Sequence, residues 1–316
     1  MTLALGSCTA TEPDAAPTAP NSVSSPSATA DPTPTSTPTP TSTPTPTPVV
    51  FDPAAAYATV DHLAAEIGPR EAASVAFDEA VRYVRARFQS LGYTATVVPV
   101  PVPAGDSWGV PVDAGTSGNV IADPPGFDPT EPHVIIGAHL DTVAVAPGAE
   151  DNGSGVAVML ELARMAAEQP PDVPVRFIAF GAEEPRGSGD DMHHFGSQNY
   201  VAALSAAERR AVEAMVSLDR VGVRADAVPV SSGGSGSTAV LEALLAAADR
   251  AGAPARQGDQ NRASDHWSFE KADIPAARLG SVPYAAYHSA DDLPRVVDER
   301  QLDRVGTITW AWLQTR

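Results

Sequence analysis

The chain has 316 residues and a formal net charge of −19, with 39 acidic against 20 basic side chains. That balance argues against a nucleic-acid partner or an electrostatic hold on anionic lipid, since phosphate binding needs a basic surface, and it suits a chain that concentrates cations. Hydrophobic residues make up 43% of the whole, the single cysteine excludes an intramolecular disulfide, and no apolar run reaches the roughly 18 residues that a spanning helix requires.

The first feature along the chain is Cys8, preceded by Leu5-Gly6-Ser7 in the form of a lipobox. Signal segments normally carry a charged start and an apolar region of about 7 to 15 residues, and little of either precedes Cys8. Residues 1–8 are therefore expected to be a truncated lipoprotein signal whose natural start lies upstream, with a lipid on the Cys8 sulfur as the only membrane contact. An accidental cysteine near a disordered end is the alternative. Residues 9–50 are almost wholly Thr, Pro, Ser and Ala. Proline removes backbone donors and this composition offers little to bury, so an extended, polyproline-like stalk is expected. Residues 51–316 are long enough to enclose one core.

Pro53 to Ile67 and Ala72 to Leu91 read as helices, the second with Val75, Phe77, Val81, Val84 and Phe88 at near-helical spacing and Gly92 closing it. Tyr93 to Val100 alternates as a strand. Asn119 to Ala122, His133 to Ala138 and Val173 to Phe180 follow as strands, the last two apolar enough to be central. Gly153 to Glu168 is a helix, opened by Asp151-Asn152 and ended before Pro170-Pro171. Further strands are expected at Ala214 to Leu218, Ala227 to Val230 and Ile274 to Leu279, with helices at Thr238 to Ala251 and Asp298 to Leu313. This alternation predicts one α/β domain around a largely parallel sheet.

Ligands of such sheets gather beyond the carboxyl ends of the strands, and several strands deliver ligand-type residues there. One ends in Gly137-Ala138-His139-Leu140-Asp141, with Asp151 a short loop later; another ends in Gly181-Ala182-Glu183-Glu184; a third ends in Asp219; His288 follows the last strand. Imidazoles and carboxylates without thiolate suit zinc or a similar divalent ion. Two histidines and three carboxylates exceed what one tetrahedral catalytic zinc takes, and they are the right number for two ions if one carboxylate bridges. For Asp151 the competing role is a helix N-cap; for Glu183-Glu184 it is a solvated helix start. His62, His133 and His266, isolated from such partners, are expected to be structural.

The ordered motifs Gly137-Ala138-His139-Leu140-Asp141, Asp151-Asn152-Gly153-Ser154-Gly155, Gly181-Ala182-Glu183-Glu184, Leu218-Asp219 and Tyr287-His288 together resemble the secreted zinc aminopeptidases of metallopeptidase family twenty-eight, over roughly residues 60 to 315. Ile67-Gly68-Pro69-Arg70 is similar to the opening of that family. The resemblance implies a three-layer α/β/α zinc-exopeptidase fold with a mixed, largely parallel central sheet. It implies two co-catalytic zinc ions bridged by Asp151, with His139 and Asp219 completing one and Glu184 and His288 the other. Glu183 would be the general base, Asp141 would hydrogen-bond the far nitrogen of His139, and Tyr287 would donate to the oxyanion. Arg262 lies in a segment that in the family helps hold the substrate, although its register is off by one residue.

The family usually has a short turn after its Glu-Glu pair, whereas here Pro185 to Phe195 intervenes, with Asp190-Asp191 and His193-His194. The favoured expectation is a solvated loop with incidental histidines; because it starts beside Glu183, a wall or gate of the pocket is the other. Trp267 and Phe269 fit either a hydrophobic pocket or the core. The leading expectation is an aminopeptidase acting on extracellular peptides. A carboxypeptidase would need a basic cluster, for which only Arg262 and Arg278 offer themselves. Glutaminyl cyclases also resemble the scaffold, with one zinc and a different context for their carboxylates. A non-catalytic surface lipoprotein binding peptide or metal is the reading from another class.

Overall fold

The computed structural model describes residues 48–316. The expectations for Cys8 and for nearly all of the Thr/Pro-rich segment lie outside the described residues.

Helix α1 (Pro53–Asp61) starts on Asp52, whose carboxylate accepts the N–H groups of Ala54 and Ala55, with proline in the first turn where its missing donor costs nothing. A π-helical turn extends it through His62–Ile67. Helix α2 (Val75–Ser90) is capped by the Ser74 hydroxyl and closes at Gly92, whose φ of 89° is open to glycine. Strand β1 (Thr94–Val102) follows, then a two-stranded ribbon, β2 (Gly105–Ser107) and β3 (Val110–Val112), that sequence patterning did not reveal. Its turn is Trp108-Gly109, both at positive φ, without the Asn or Asp that usually betrays such hairpins.

Strands β4 (Gly115–Asp123) and β5 (His133–His139) lead through a kinked turn, Ala149–Ser154, in which Asp151 and Asn152 leave helical geometry, into helix α3 (Gly155–Glu168). Strand β6 (Val175–Phe180) begins two residues later than its apolar run suggests, Pro174 just before it having no N–H to give to a ladder. Helices α4 (Phe195–Ala203) and α5 (Ala206–Ala211) precede β7 (Val212–Asp219) and β8 (Val228–Ser231). Then come α6 (Ala239–Ala251), β9 (Ala255–Gln257), α7 (His266–Glu270), β10 (Ala276–Gly280) and α8 (Glu299–Leu313).

Eight strands form one sheet in the order β1-β4-β6-β5-β7-β10-β8-β9. The central block β6-β5-β7-β10 is parallel; β1, β4 and β8 supply the antiparallel pairings. Alternation along β5 shows the layering. Val134, Ile136 and Ala138 enter a large core shared with α1, α2, α3, α6 and α8, whereas Ile135 packs on the other face with Phe180, Tyr200 and Phe269. The fold is thus a three-layer α/β/α sandwich with a mixed, largely parallel sheet, and its parallel block brings the carboxyl ends of β5, β6 and β7 to one edge. Among the described residues no helix is long and apolar enough to cross a membrane.

Candidate active site and metal centre

His139 is the last residue of β5 and Asp219 the last of β7, while Glu183 and Glu184 stand just past the end of β6. Asp151 lies in the turn before α3, and His288 arrives from the loop after β10, at a φ of 51°. The fold brings all six together, each buried.

Their geometry centres on Asp151. Its Oδ1 lies 3.1 Å from His139 Nε2 and its Oδ2 3.2 Å from His288 Nε2, so each oxygen serves a different imidazole. His288 Nε2 is also 3.1 Å from Glu184 Oε2, and His139 Nε2 is 3.8 Å from Asp219 Oδ1. Two sets of ligand atoms, each mutually within 4.8 Å, follow: His139, Asp151 and Asp219, and Asp151, Glu184 and His288. A further set joins His139, Glu183 and Glu184.

The electrostatics of the cluster favour cations. Burial raises Glu183 and Glu184 to about 8. Burial would lower both imidazoles, but neighbouring carboxylates outweigh it, holding His139 well above its ordinary value and lifting His288 to about 10. Burial likewise works against ionised Asp151, whose hydrogen bonds to His139 and His288 keep it below the ordinary carboxylate range. Groups that hold protons so tightly to offset crowded negative charge are those that a divalent ion relieves. Glu184 Oε1 and His288 Nδ1 are buried without a hydrogen-bond partner. For the carboxylate oxygen a cation would answer that lack. The absence of thiolate and the histidine–carboxylate mix fit zinc.

Surrounding groups fix the ligands. Asp141 places its backbone carbonyl 3.1 Å from His139 Nδ1 and its carboxylate 3.7 Å away, while that carboxylate accepts the N–H groups of Glu183 and Glu184. The capping role considered for Asp151 falls instead to Asn152: its side-chain oxygen accepts the N–H of Gly155, and its amide donates to the Leu218 carbonyl. A Cβ on Gly155 would sit 2.2 Å from that same carbonyl, so only glycine lets α3 start against the end of β7. Asp292 accepts the N–H groups of Glu150 and Asp151. Arg70, fully buried, donates to the carbonyls of Leu140, Pro147 and Gly148 and so ties down the loop joining His139 to Asp151.

Tyr287 is 39% exposed, stacks on His288 with ring centroids 3.7 Å apart, and lies under the Arg220 guanidinium. Burial and the charge of Asp151 raise its hydroxyl above its ordinary value, so it remains a donor. Arg262 lines the pocket, held by the Gly233 carbonyl and stacked over Trp267. Arg278 is buried, with Nη2 3.0 Å from Asp219 Oδ1. Phe269 belongs to the core. His62, His133 and His266 bond Glu66, the Glu131 carbonyl and the Asn261 carbonyl respectively, apart from the ligand cluster.

The segment Pro185 to Phe195 departs from the favoured expectation. Residues 187–191 are exposed, but Arg186 is buried, ion-paired with Glu71 and bonded to the Pro103 and Asp113 carbonyls. His194 is 2% exposed, and its Nε2 lies 2.9 Å from Glu183 Oε1. Its histidines are not incidental. The sequence signals that could have marked these supports are few: Arg70 stands in the Gly-Pro-Arg opening segment, whereas nothing local distinguishes His194, Arg220 or Asp292.

Residues 119–313 match peptidase family M28. Aminopeptidase YwaD of Bacillus subtilis (strain 168) is 34% identical over 206 residues, which cover 62% of this chain and 44% of that protein. The chain spans less than half the length of curated relatives such as this one. Among solved structures, BSAP, a zinc aminopeptidase from Bacillus subtilis, superposes with a TM-score of 0.74 at 22% identity, covering 84% of this chain and 95% of that one. A Bacteroides thetaiotaomicron glutaminyl cyclase superposes nearly as well, with a TM-score of 0.73 at 20% identity over 85% of this chain and 100% of its own. At these identities the likeness carries the fold and does not choose between the two activities.

Proposed function

The chain belongs to peptidase family M28, and from that membership together with its ligand cluster we propose that it is a two-zinc aminopeptidase, releasing N-terminal residues from peptides. The observation that carries the reading is the Asp151 carboxylate, whose two oxygens each face a different imidazole. His139 and Asp219 would hold one ion, Glu184 and His288 the other, with Asp151 shared. When bound, paired ions supply Lewis acidity toward the scissile carbonyl and toward the attacking water.

The remaining chemistry belongs to the chain's own groups. Glu183, beside the ligands, accepts the proton of the attacking water and passes it to the leaving amine. Tyr287, kept protonated at the pocket mouth, donates to the oxygen on which negative charge develops. Asp141 fixes the backbone of the glutamate pair, and Arg262 meets the substrate from the pocket wall. Arg220 adds to the basic groups of the pocket, but it is engaged with Tyr287 and Ser281, as Arg278 is with Asp219. A free cluster to seat a C-terminal carboxylate is not assembled from them, which supports trimming at the amino end.

We assign residues 51–316 to the catalytic domain, residues 9–50 to a stalk, and residues 1–8 to a lipoprotein signal with its lipobox. Cys8 would then anchor the enzyme outside the cell; the lipobox form of Leu5 to Cys8 and the Thr/Pro composition support this.

The test is a panel of free-amine and N-blocked peptides, read by mass spectrometry, with metal analysis of the same protein. Two zinc equivalents and stepwise loss from free amino ends, abolished by a chelator and restored by zinc, are expected. Cleavage of N-blocked peptides from the other end would establish a carboxypeptidase instead. Cyclisation of N-terminal glutamine without hydrolysis would establish a glutaminyl cyclase. Two bound zincs with no turnover on the whole panel would establish a binding protein.

A further inference from the structure

The inserted segment returns to the glutamate pair by backbone bonds. Arg186 N–H donates to the Met192 carbonyl, His194 N–H to the Glu183 carbonyl and Phe195 N–H to the Ala182 carbonyl, each at 2.8 Å. This closure forces His194 to a φ of 57°, a region that a side chain with a β-carbon rarely adopts, and turns its ring into the site. Gln198 secures the loop from behind, donating to the His193 carbonyl at 2.7 Å.

The two oxygens of Glu183 are then differentiated. Oε1 lies 2.9 Å from His194 Nε2, whereas Oε2 faces the ligand cluster, 3.9 Å from His139 Nε2. On its other side His194 Nδ1 is 2.8 Å from His193 Nδ1. Two imidazole nitrogens at that separation share one proton. Burial holds both rings neutral, lowering His193 to about 4 and His194 to about 3, so each ring carries a single N–H. If His193 Nδ1–H donates to His194 Nδ1, the His194 proton sits on Nε2 and points at Glu183 Oε1. The opposite arrangement would aim a lone pair at that oxygen and would require a protonated carboxyl there. With bound ions in place of the protons that the metal-free cluster holds, Glu183 would start ionised, as a group that accepts a proton from water must, and so calls for the first arrangement.

We propose that His194 is a positioning residue for Glu183: its Nε2–H donates to Oε1 and holds the carboxylate so that Oε2 faces the reacting water. The inference rests on the reading of Glu183 as proton carrier. It gives the inserted segment a role in the reaction, with His193 fixing the His194 tautomer. Anchoring one oxygen removes the side-chain freedom that would let the base turn away from its target.

The experiment uses the zinc-loaded full chain and an aminoacyl-nitroanilide substrate. His194→Ala should lower kcat by about 10- to 100-fold, with KM within about twofold and zinc content unchanged; His194→Gln, whose amide can still donate, should recover most of the loss. In a Glu183→Gln background, His194→Ala should cost nothing further, because a positioning residue has no effect once the group it positions is gone. Equal losses in the two backgrounds would overturn the proposal. Independently of activity, nitrogen-15 spectra of the zinc-loaded protein should show the His194 proton on Nε2, with a signal that moves on Glu183→Gln; a proton on Nδ1 would overturn the proposal even if the alanine variant fails to fold. Should Glu183→Gln keep wild-type kcat, the proton-carrier reading fails and this one with it. Should Glu183→Gln abolish turnover while His194→Ala leaves kcat intact, only the positioning role falls.

Discussion

The Asp141 carboxylate accepts the backbone N–H of Glu183 at 2.9 Å, so an acid just past the end of β5 fixes the chain at the acid that follows β6. Its second oxygen takes the N–H of Glu184 at 3.1 Å. Asp141→Ala should leave two buried donors unsatisfied, at about 1–3 kcal/mol each, and weaken metal binding by about 10- to 100-fold. Asp141→Asn should not rescue it, since one of the two acceptors becomes a donor. Denaturant unfolding and zinc titration measure both effects; an alanine variant with the wild-type midpoint would sink this account.

Glu183→Gln preserves the shape of the side chain and removes its ability to take a proton. Turnover should fall by about 100- to 10,000-fold, while bound zinc is unchanged. The variant should be no less stable without metal, because burial already opposes the Glu183 charge. Steady-state kinetics beside metal analysis decides it. Loss of zinc along with activity would instead make Glu183 a ligand.

Chelation should make stability depend on pH in a definite direction. Glu183 and Glu184 move from 4.5 unfolded to about 8 folded, and His288 from 6.5 to about 10. Each folded-state pKa is raised, so each contribution is present below the unfolded value and is lost as pH climbs through the folded one. The metal-free protein should therefore lose thermal stability steadily from about pH 4.5 to about pH 10. Bound ions take the place of those protons, so the zinc-loaded protein should show a flatter profile and release protons on loading. Calorimetry in buffers of different ionisation enthalpy reads both; a metal-free Tm that rises across that window would contradict the argument.

Arg278 pairs with Asp219 inside the protein, both side chains almost wholly buried. Arg278→Ala would leave a buried carboxylate without its partner, a change that costs about 3–5 kcal/mol. Part of that loss should return on zinc addition, because the ion supplies positive charge to the same carboxylate. Thermal shifts of wild type and variant, with and without zinc, test this: an equal zinc-induced shift in both would show that the two charges are not linked through Asp219.

Much of this architecture is legible in the sequence. Apolar runs such as His133 to Ala138 have the length and composition of buried strands, and the glycine-rich segments after them mark where a parallel sheet presents its ligands. The six clustered residues were legible because each lies at the carboxyl end of a strand or in the connection that leaves one, where the topology leaves few choices of position. The β2–β3 ribbon was not, since its Trp108-Gly109 turn lacks the residues that announce a hairpin. Short helices α4, α5 and α7 were hidden because segments of 9, 6 and 5 residues are too short to set a clear period.

Periodicity and strand-end chemistry are local properties of the chain, so they carry the layered α/β plan and the order in which ligand-type residues reach one edge of the sheet. Which neighbour each of those residues meets is set by tertiary packing. Asn152 rather than Asp151 caps α3, Arg278 reaches Asp219 from 59 positions away along the chain, and His194 is carried by its loop onto Glu183. Those pairings depend on close packing and on the demand that every buried charge find a partner. Both are conditions on the folded whole, and no short stretch of the chain records them.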